Sequence, residues 1–313
     1  MAVTPVPSKL NPYLRLARVD RPTGTWLLYL PCTWSIALAA PAGQIPDLSM
    51  LALFGVGAIL MRGAGCTIND LWDRKFDRQV ERTKDRPLAS NELTPMNALI
   101  FLTKLHMRWM PIFSSGCDIS SVQKNNLLAS VCIRDYFELG CMAWLLCCVG
   151  LLFFANLRAA LPSSSILDQH LRHYLFFPSL TFNWGALLGY STIAGHIDPL
   201  ICVPLYIAGI SWTFVYDTIY AHQDIEDDLL IGVKSTAILF GMLVNLLLVG
   251  VNSSAGWIYY AGTGAMMTHV AYLIYKTQLR DPKSCLQSFK ASRTTGLIYF
   301  AAIVMDKLFS STC

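Results

Sequence analysis

The stretch LSMLALFGVGAILMRGAGCTINDLWDRKFD, residues 48–77, decides how this chain is read. Its first part, 48–68, is apolar over about the 20 residues that a helix needs to cross a bilayer. Its end sets Asn69, Asp70, Asp73 and Asp77 close together. At 100° per residue these four fall within about 100° of one helix face. Carboxylates beside hydrocarbon are costly, so membrane chains keep them mainly where they work.

A second stretch repeats the arrangement. Asp217-Thr218-Ile219-Tyr220-Ala221-His222-Gln223-Asp224-Ile225-Glu226-Asp227-Asp228 closes the apolar segment 200–221. Asp217, Asp224 and Asp228 fall within about 40° of one face, with Tyr220 beside them. Two facing rows of hard oxygen donors suit Mg²⁺ ions that hold a substrate diphosphate. The bland alternative is a pair of helix ends leaving the membrane, where charges are ordinary. The spacing shared by the two clusters favours the metal–diphosphate reading. A Ca²⁺ loop fits less well, because the acids follow helical spacing and no Gly stands at the required turn. His222 is turned well off the acidic face and is not a candidate base.

Composition agrees with a membrane protein. The chain has 313 residues, 54% hydrophobic and 14% charged, against about 25% charged in a soluble domain. Apolar stretches of membrane length lie near 22–41, 48–68, 138–157, 176–195, 200–221, 235–251, 256–275 and 294–308. A ninth, near 95–113, begins as Met96-Asn97-Ala98-Leu99-Ile100-Phe101-Leu102 and then meets Lys104, His106 and Arg108. The expected fold is all-α, a multi-pass transmembrane bundle of about nine helices. Residues 1–20 form a basic tail and 21–308 a single transmembrane domain. No alternating pattern of a transmembrane barrel is present.

The net charge of +4 gives no reason to expect a nucleic-acid partner. The placement of the basic residues says more. Lys9, Arg15, Arg18 and Arg21 precede the first span, and the 41–47 connection has no Lys or Arg. Arg74, Lys75, Arg78, Arg82, Lys84 and Arg86 follow the second span. The positive-inside rule puts the tail and the first acidic cluster on the inner side. The 276–293 connection, with Lys276, Arg280, Lys283, Lys290 and Arg293, is a third inner candidate. For both clusters to serve one diphosphate, an even number of crossings must separate residue 78 from 217. That requires the charged 95–113 stretch to cross. The first 19 residues are basic and lack acids, at most the tail end of a transit peptide. The ten cysteines show neither zinc spacing nor a disulfide framework and read as buried thiols.

Several basic and aromatic residues have two readings each. Lys84 and Arg86 either stabilise a leaving diphosphate or serve as inner-side flanks. Arg62, within an apolar segment, should face the bundle interior. There it either contacts phosphate or pairs with Asp70 or Asp73. Arg21, at the start of the first helix, is a phosphate or carboxylate contact or an interfacial anchor. Tyr220 can reach phosphate with its hydroxyl. Gly185 and Gly189, after Asn183 and Trp184, let helices approach closely.

These motifs resemble those of the UbiA superfamily of intramembrane aromatic prenyltransferases. The pattern N-D-x-x-D-x-x-x-D is present from Asn69 to Asp77, and D-x-x-Y-A-x-x-D-x-x-x-D from Asp217 to Asp228. The runs RPTGTWLLYLP from Arg21, RGAGCTINDLWDRKFD from Arg62 and DRPLAS from Asp85 are similar to the branch that prenylates 4-hydroxybenzoate in ubiquinone biosynthesis. TFNWGALLG from Thr181, YDTIYAHQD from Tyr216 and DDLLIGVKST from Asp227 add to this. The resemblance covers about 10–102 and 179–305, while 104–178 departs from the family pattern.

The resemblance implies transfer of a polyprenyl group from polyprenyl diphosphate to the ring carbon ortho to the phenol of 4-hydroxybenzoate. It implies Mg²⁺ held by Asp70, Asp73, Asp77, Asp224 and Asp228, with Asn69 and Asp217 in support. Arg62, Lys84 and Arg86 are implied diphosphate contacts, and Arg21 a contact for the benzoate carboxylate. It points to the mitochondrial inner membrane, with the acidic motifs on the matrix side and other ubiquinone-biosynthesis proteins as partners. The competing expectations are a UbiA-type enzyme with another aromatic acceptor, an inactive isoform or non-catalytic scaffold, and an ion transporter. The acids lie at helix ends rather than the midplane, which argues against transport.

Overall fold

A computed structural model describes residues 11–78, 83–105, 182–221, 232–279 and 281–309. All regular structure among the described residues is helical. The helices are α1 (Asn11–Leu16), α2 (Thr23–Ala39), α3 (Leu48–Trp72), α4 (Arg74–Asp77), α5 (Gly185–Ala194), α6 (Pro199–Ala221), α7 (Gly232–Asn252), α8 (Trp257–Lys276) and α9 (Pro282–Phe309). Residues 95–105 are helical as well. The described residues fall into two compact units. One holds those up to Trp26 and from Gly55 to 105; the other holds Leu27–Phe54 and those from 182 onward.

Most expected spans reappear as helices. The stretches at 22–41, 48–68, 200–221, 235–251 and 256–275 correspond to α2, α3, α6, α7 and α8. The 176–195 stretch is described from 182 and contains α5. The expected 138–157 span and the second half of 95–113 lie outside the described residues. Two parts of the expectation change. The tail is not uniformly a tail, because Asn11–Leu16 is helical and Leu16 is fully buried. The 276–293 connection is largely helix, because α9 starts at Pro282. Pro suits the first helical turn, and Asp281 caps it by accepting from the backbone N–H of Lys283 (3.0 Å) and Ser284 (3.2 Å). Polar residues near a capped start do not end a helix, so hydropathy alone placed this boundary too late.

In the larger unit the core is aromatic and aliphatic. Trp34, Trp212, Tyr259 and Tyr299 are among its largest fully buried side chains. They make a continuous series of ring contacts: Trp212–Trp34 at 5.1 Å, Trp34–Tyr299 at 5.2 Å and Tyr299–Tyr259 at 5.7 Å between centroids. Two of the polar tips bond backbone carbonyls. The Trp34 indole donates to the Gly296 carbonyl at 2.9 Å, and the Tyr259 hydroxyl donates to the Leu246 carbonyl at 2.8 Å. Helix α6 packs on α7 and α9, and α8 packs on α9. Gly185 and Gly189 allow the close approach expected of them. A Cβ on Gly189 would lie 2.7 Å from the Cys32 carbonyl oxygen of α2.

The outer faces of these helices are apolar. Leu200, Val203 and Ile207 on α6 are exposed, as are Phe240, Val244, Leu247, Leu248 and Val251 on α7. Each set follows the i, i+3/i+4, i+7 rule of one helix face. Such stripes fit lipid rather than water. Helices Leu48–Trp72 and Pro199–Tyr220 are long and apolar enough to span a bilayer. Pro204 inside α6 lacks an N–H, so the Leu200 carbonyl loses its helical donor. The Asn252 side-chain amide at the end of α7 donates to that carbonyl at 2.6 Å instead, as membrane burial of backbone requires.

Candidate functional site

In the smaller unit the acidic motif stands on continuous helical hydrogen bonding. The Asp73 N–H donates to the Asn69 carbonyl (2.9 Å), and the Asp77 N–H to the Asp73 carbonyl (2.8 Å). This i, i+4 register runs through the junction of α3 and α4. It stacks Asn69, Asp73 and Asp77 along one path, as the spacing predicts. Asn69 is exposed, Asp73 half-buried and Asp77 buried. Burial raises the Asp73 carboxyl above the usual carboxylate range, and the nearby Asp77 charge raises it further. Arg86 opposes that rise.

Asp70 is placed differently. Its side chain is 2% exposed, and its Oδ1 accepts from Arg18 Nη2 at 2.8 Å and from Arg86 Nη1 at 3.1 Å. The same Arg86 Nη1 also reaches Asp77 Oδ2 at 2.7 Å. Arg18, Asp70, Arg86 and Asp77 thus form one charge network. The sequence counts Arg18 only among the basic residues of the tail. Its left-handed backbone and distance from the motif leave little in the sequence to mark it as a partner.

The other basic residues divide by role. Arg74 Nε donates to the Leu88 carbonyl (3.1 Å) and Arg78 Nε to the Ala89 carbonyl (3.0 Å). Both guanidinium groups also bond Asn91 Oδ1. Arg15 donates to the Asp85 carbonyl and pairs with Glu92 at 2.8 Å. Three arginines therefore strap the Asp85–Glu92 loop, while Leu16, Leu88, Leu93 and Ala98 pack beneath it. That strapping holds Arg86 on the acidic motif. Lys84 is exposed.

Arg62 makes no ion pair among the described residues, so the pairing with Asp70 or Asp73 is not formed. Its Nε is buried without a hydrogen-bond partner. The guanidinium lies over Gly24 in the first turn of α2, where a Cβ would come within 2.6 Å of Arg62 Cζ. A buried donor without a partner is costly and is suited to an anionic ligand. Arg21 is exposed and sits 3.5 Å from the adjacent Asp20.

In the larger unit Asp217 and Tyr220 are half-buried near the end of α6. The Tyr220 ring rests on Phe289 of α9 at 4.8 Å. Below it, the Tyr216 hydroxyl and the Asn183 amide both donate to Thr213 Oγ1, at 3.0 and 2.8 Å. Asp224 and Asp228 lie outside the described residues. Asn69, Asp73 and Asp77 offer one amide oxygen and two carboxylates, a donor set that fits Mg²⁺. That ion commonly takes one or two carboxylates and completes its shell with water and substrate phosphate.

Comparison with known proteins gives a consistent picture. The model of the UbiA prenyltransferase family matches residues 28–106 and 137–299. The interval it leaves out, 107–136, is shorter than the 104–178 departure read from the motifs. The human mitochondrial 4-hydroxybenzoate polyprenyltransferase is 44% identical over 319 residues, covering 98% of this chain and 78% of that protein. Among solved structures, a UbiA homologue from Aeropyrum pernix superposes with a TM-score of 0.58 at 17% identity, covering 90% of this chain and 97% of that one. A UbiA homologue from Archaeoglobus fulgidus, solved with GPP and Mg²⁺, gives a TM-score of 0.51 at 12% identity, covering 94% and 99%.

Proposed function

The chain belongs to the UbiA prenyltransferase family, and we propose that it transfers a polyprenyl group from polyprenyl diphosphate to 4-hydroxybenzoate with Mg²⁺ as cofactor. The acceptor follows from near-full-length identity to a relative named for that reaction. The observation that supports the chemistry is the Asn69–Asp73–Asp77 ladder with Arg86 held against it.

The residues divide the work as follows. Asn69, Asp73 and Asp77 are assigned to metal in the first motif, and Asp224 and Asp228 are the metal ligands of the second, with Asp217 and Tyr220 in support. When bound, Mg²⁺ supplies positive charge that offsets the departing diphosphate. Arg86 and Lys84 add charge-assisted donors to the phosphate oxygens. Heterolysis of the allylic C–O bond leaves its electron pair on the diphosphate. The electron-rich ring of 4-hydroxybenzoate then attacks the allylic carbon ortho to its hydroxyl and loses a proton. Apolar helices exclude water, which would otherwise capture the allylic cation. Arg62, with a buried unpaired donor over Gly24, and the exposed Arg21 are assigned to the anionic groups of the substrates. The exposed apolar stripes face lipid, which also receives the prenyl tail. The relative's mitochondrial name supports the same compartment here. We assign the inner membrane, with the first motif on the matrix side by its basic flanks.

The test uses membranes from a host lacking its own enzyme, supplied with labelled 4-hydroxybenzoate and a polyprenyl diphosphate. Prenylated product that vanishes with EDTA and returns with Mg²⁺ is expected. Product from homogentisate or dihydroxynaphthoate but none from 4-hydroxybenzoate would refute the acceptor.

A further inference from the structure

Helix α1 ends in a Schellman turn. The Arg18 N–H donates to the Arg15 carbonyl and the Val19 N–H to the Leu14 carbonyl, both at 3.1 Å. This places Arg18 in the left-handed position, with φ of 53°. Glycine takes that position without steric cost, whereas an L side chain is strained there. The other positive-φ residues besides glycine among those described are Asn91 and Ser254, whose short polar side chains can bond locally. Arg18 carries a long cation instead. Strain kept against the local rule points to a use for the side chain.

The guanidinium shows what that use is. It reaches the buried Asp70 carboxylate at 2.8 Å, on the oxygen that also accepts from Arg86. Arg86 is shared between Asp70 and Asp77. Without Arg18, the buried Asp70 charge would have Arg86 as its remaining partner in this network. A carboxylate out of water binds its remaining cation more strongly. Arg86 would be drawn onto Asp70 and away from Asp77 and the diphosphate.

We infer that Arg18 is a positioning residue of the diphosphate site, and that Asp70 is the anchor it neutralises rather than a metal ligand. The Asp70 Oδ1 already faces two guanidinium groups. A divalent cation at that oxygen would meet their repulsion. The inference rests on the diphosphate reading above.

The test compares the parent with Arg18→Gly, Arg18→Ala, Arg18→Lys, Asp70→Asn and the double variant Arg18→Gly/Asp70→Asn. The readouts are the melting midpoint in detergent, the midpoint shift caused by geranyl diphosphate with Mg²⁺, and KM for each substrate. Arg18→Gly should melt at or above Arg18→Ala, because glycine relieves the left-handed backbone. Its apparent Kd and KM for the diphosphate should rise by about tenfold, the loss of one charge-assisted contact. KM for 4-hydroxybenzoate and the Mg²⁺ concentration for half-maximal rate should stay at parental values. Arg18→Lys keeps the charge and should recover most of the diphosphate affinity. Adding Asp70→Asn to Arg18→Gly removes the uncompensated charge and should restore affinity.

Parental diphosphate affinity in both Arg18→Gly and Arg18→Ala would overturn the proposal. So would an Asp70→Asn variant as insensitive to Mg²⁺ as Asp73→Asn, which would make Asp70 a ligand. Arg18→Gly melting below Arg18→Ala would overturn the strain argument. A parent that binds geranyl diphosphate but transfers nothing breaks the functional reading, while the binding shifts still decide the role of Arg18. A parent that binds no diphosphate overturns both.

Discussion

At the heart of the larger unit, Trp34, Trp212, Tyr259 and Tyr299 are shielded from solvent and touch ring to ring. In the smaller unit a carboxylate, Asp70, is buried almost as deeply, with two guanidinium groups on it. The apolar cluster beside it is small: Leu16, Leu88, Leu93 and Ala98. A jigsaw of rings resists deformation because interiors are close-packed. A buried charge network contributes less to net stability, since desolvation offsets much of its attraction, but it fixes where donors and acceptors point. The difference separates support from chemistry. Substitutions in the aromatic core should act on stability, and substitutions in the charge network on substrate and metal.

That separation can be broken most sharply at Asp73. Asp73→Asn should lower turnover by at least about 10³-fold, the scale of losing preorganised electrostatic stabilisation, with an unchanged melting midpoint. A lowered midpoint with residual activity near the parent's would erase the distinction. Trp212→Ala should do the reverse. It should destabilise by about 3–5 kcal/mol, measured by denaturation in detergent, while the folded fraction keeps the parental Mg²⁺ requirement.

Gly24 sharpens the comparison within the smaller unit. Gly24→Ala adds a Cβ 2.6 Å from Arg62 Cζ, so the guanidinium must shift. About a tenfold rise in KM for one anionic substrate, with little loss of stability, is the expected result. The smallest effect is expected at the proline-bearing helix. Asn252→Ala leaves the Leu200 carbonyl without its donor and should cost about 1 kcal/mol. Pro204→Ala restores a backbone N–H, so Asn252→Ala in that background should cost nothing.

Much of this was legible in the sequence, for identifiable reasons. Apolar length located the helices because a bilayer fixes how long they must be, and helical spacing put Asn69, Asp70, Asp73 and Asp77 on one face. Hydropathy could not see that α9 begins at Pro282, because a capped polar first turn carries no apolar signal. Nor could it separate the roles of the basic residues. Arg74, Arg78 and Arg15 strap a loop through its carbonyls and Asn91, while Arg86 turns onto the acids. These choices depend on where the backbone returns, which composition does not record. Arg18 was hidden for the same reason: its role depends on a left-handed turn and a partner far along the chain.

The central claim is metal-dependent prenyl transfer from a site built on the Asn69–Asp77 motif. The most direct measurement supplies membranes containing the parent or Asp73→Asn with labelled 4-hydroxybenzoate and a polyprenyl diphosphate, with Mg²⁺ and then with excess EDTA. The account predicts prenylated product from the parent in Mg²⁺ alone and none from Asp73→Asn under either condition. Equal product from the two chains, or product from the parent that persists in EDTA, would contradict it.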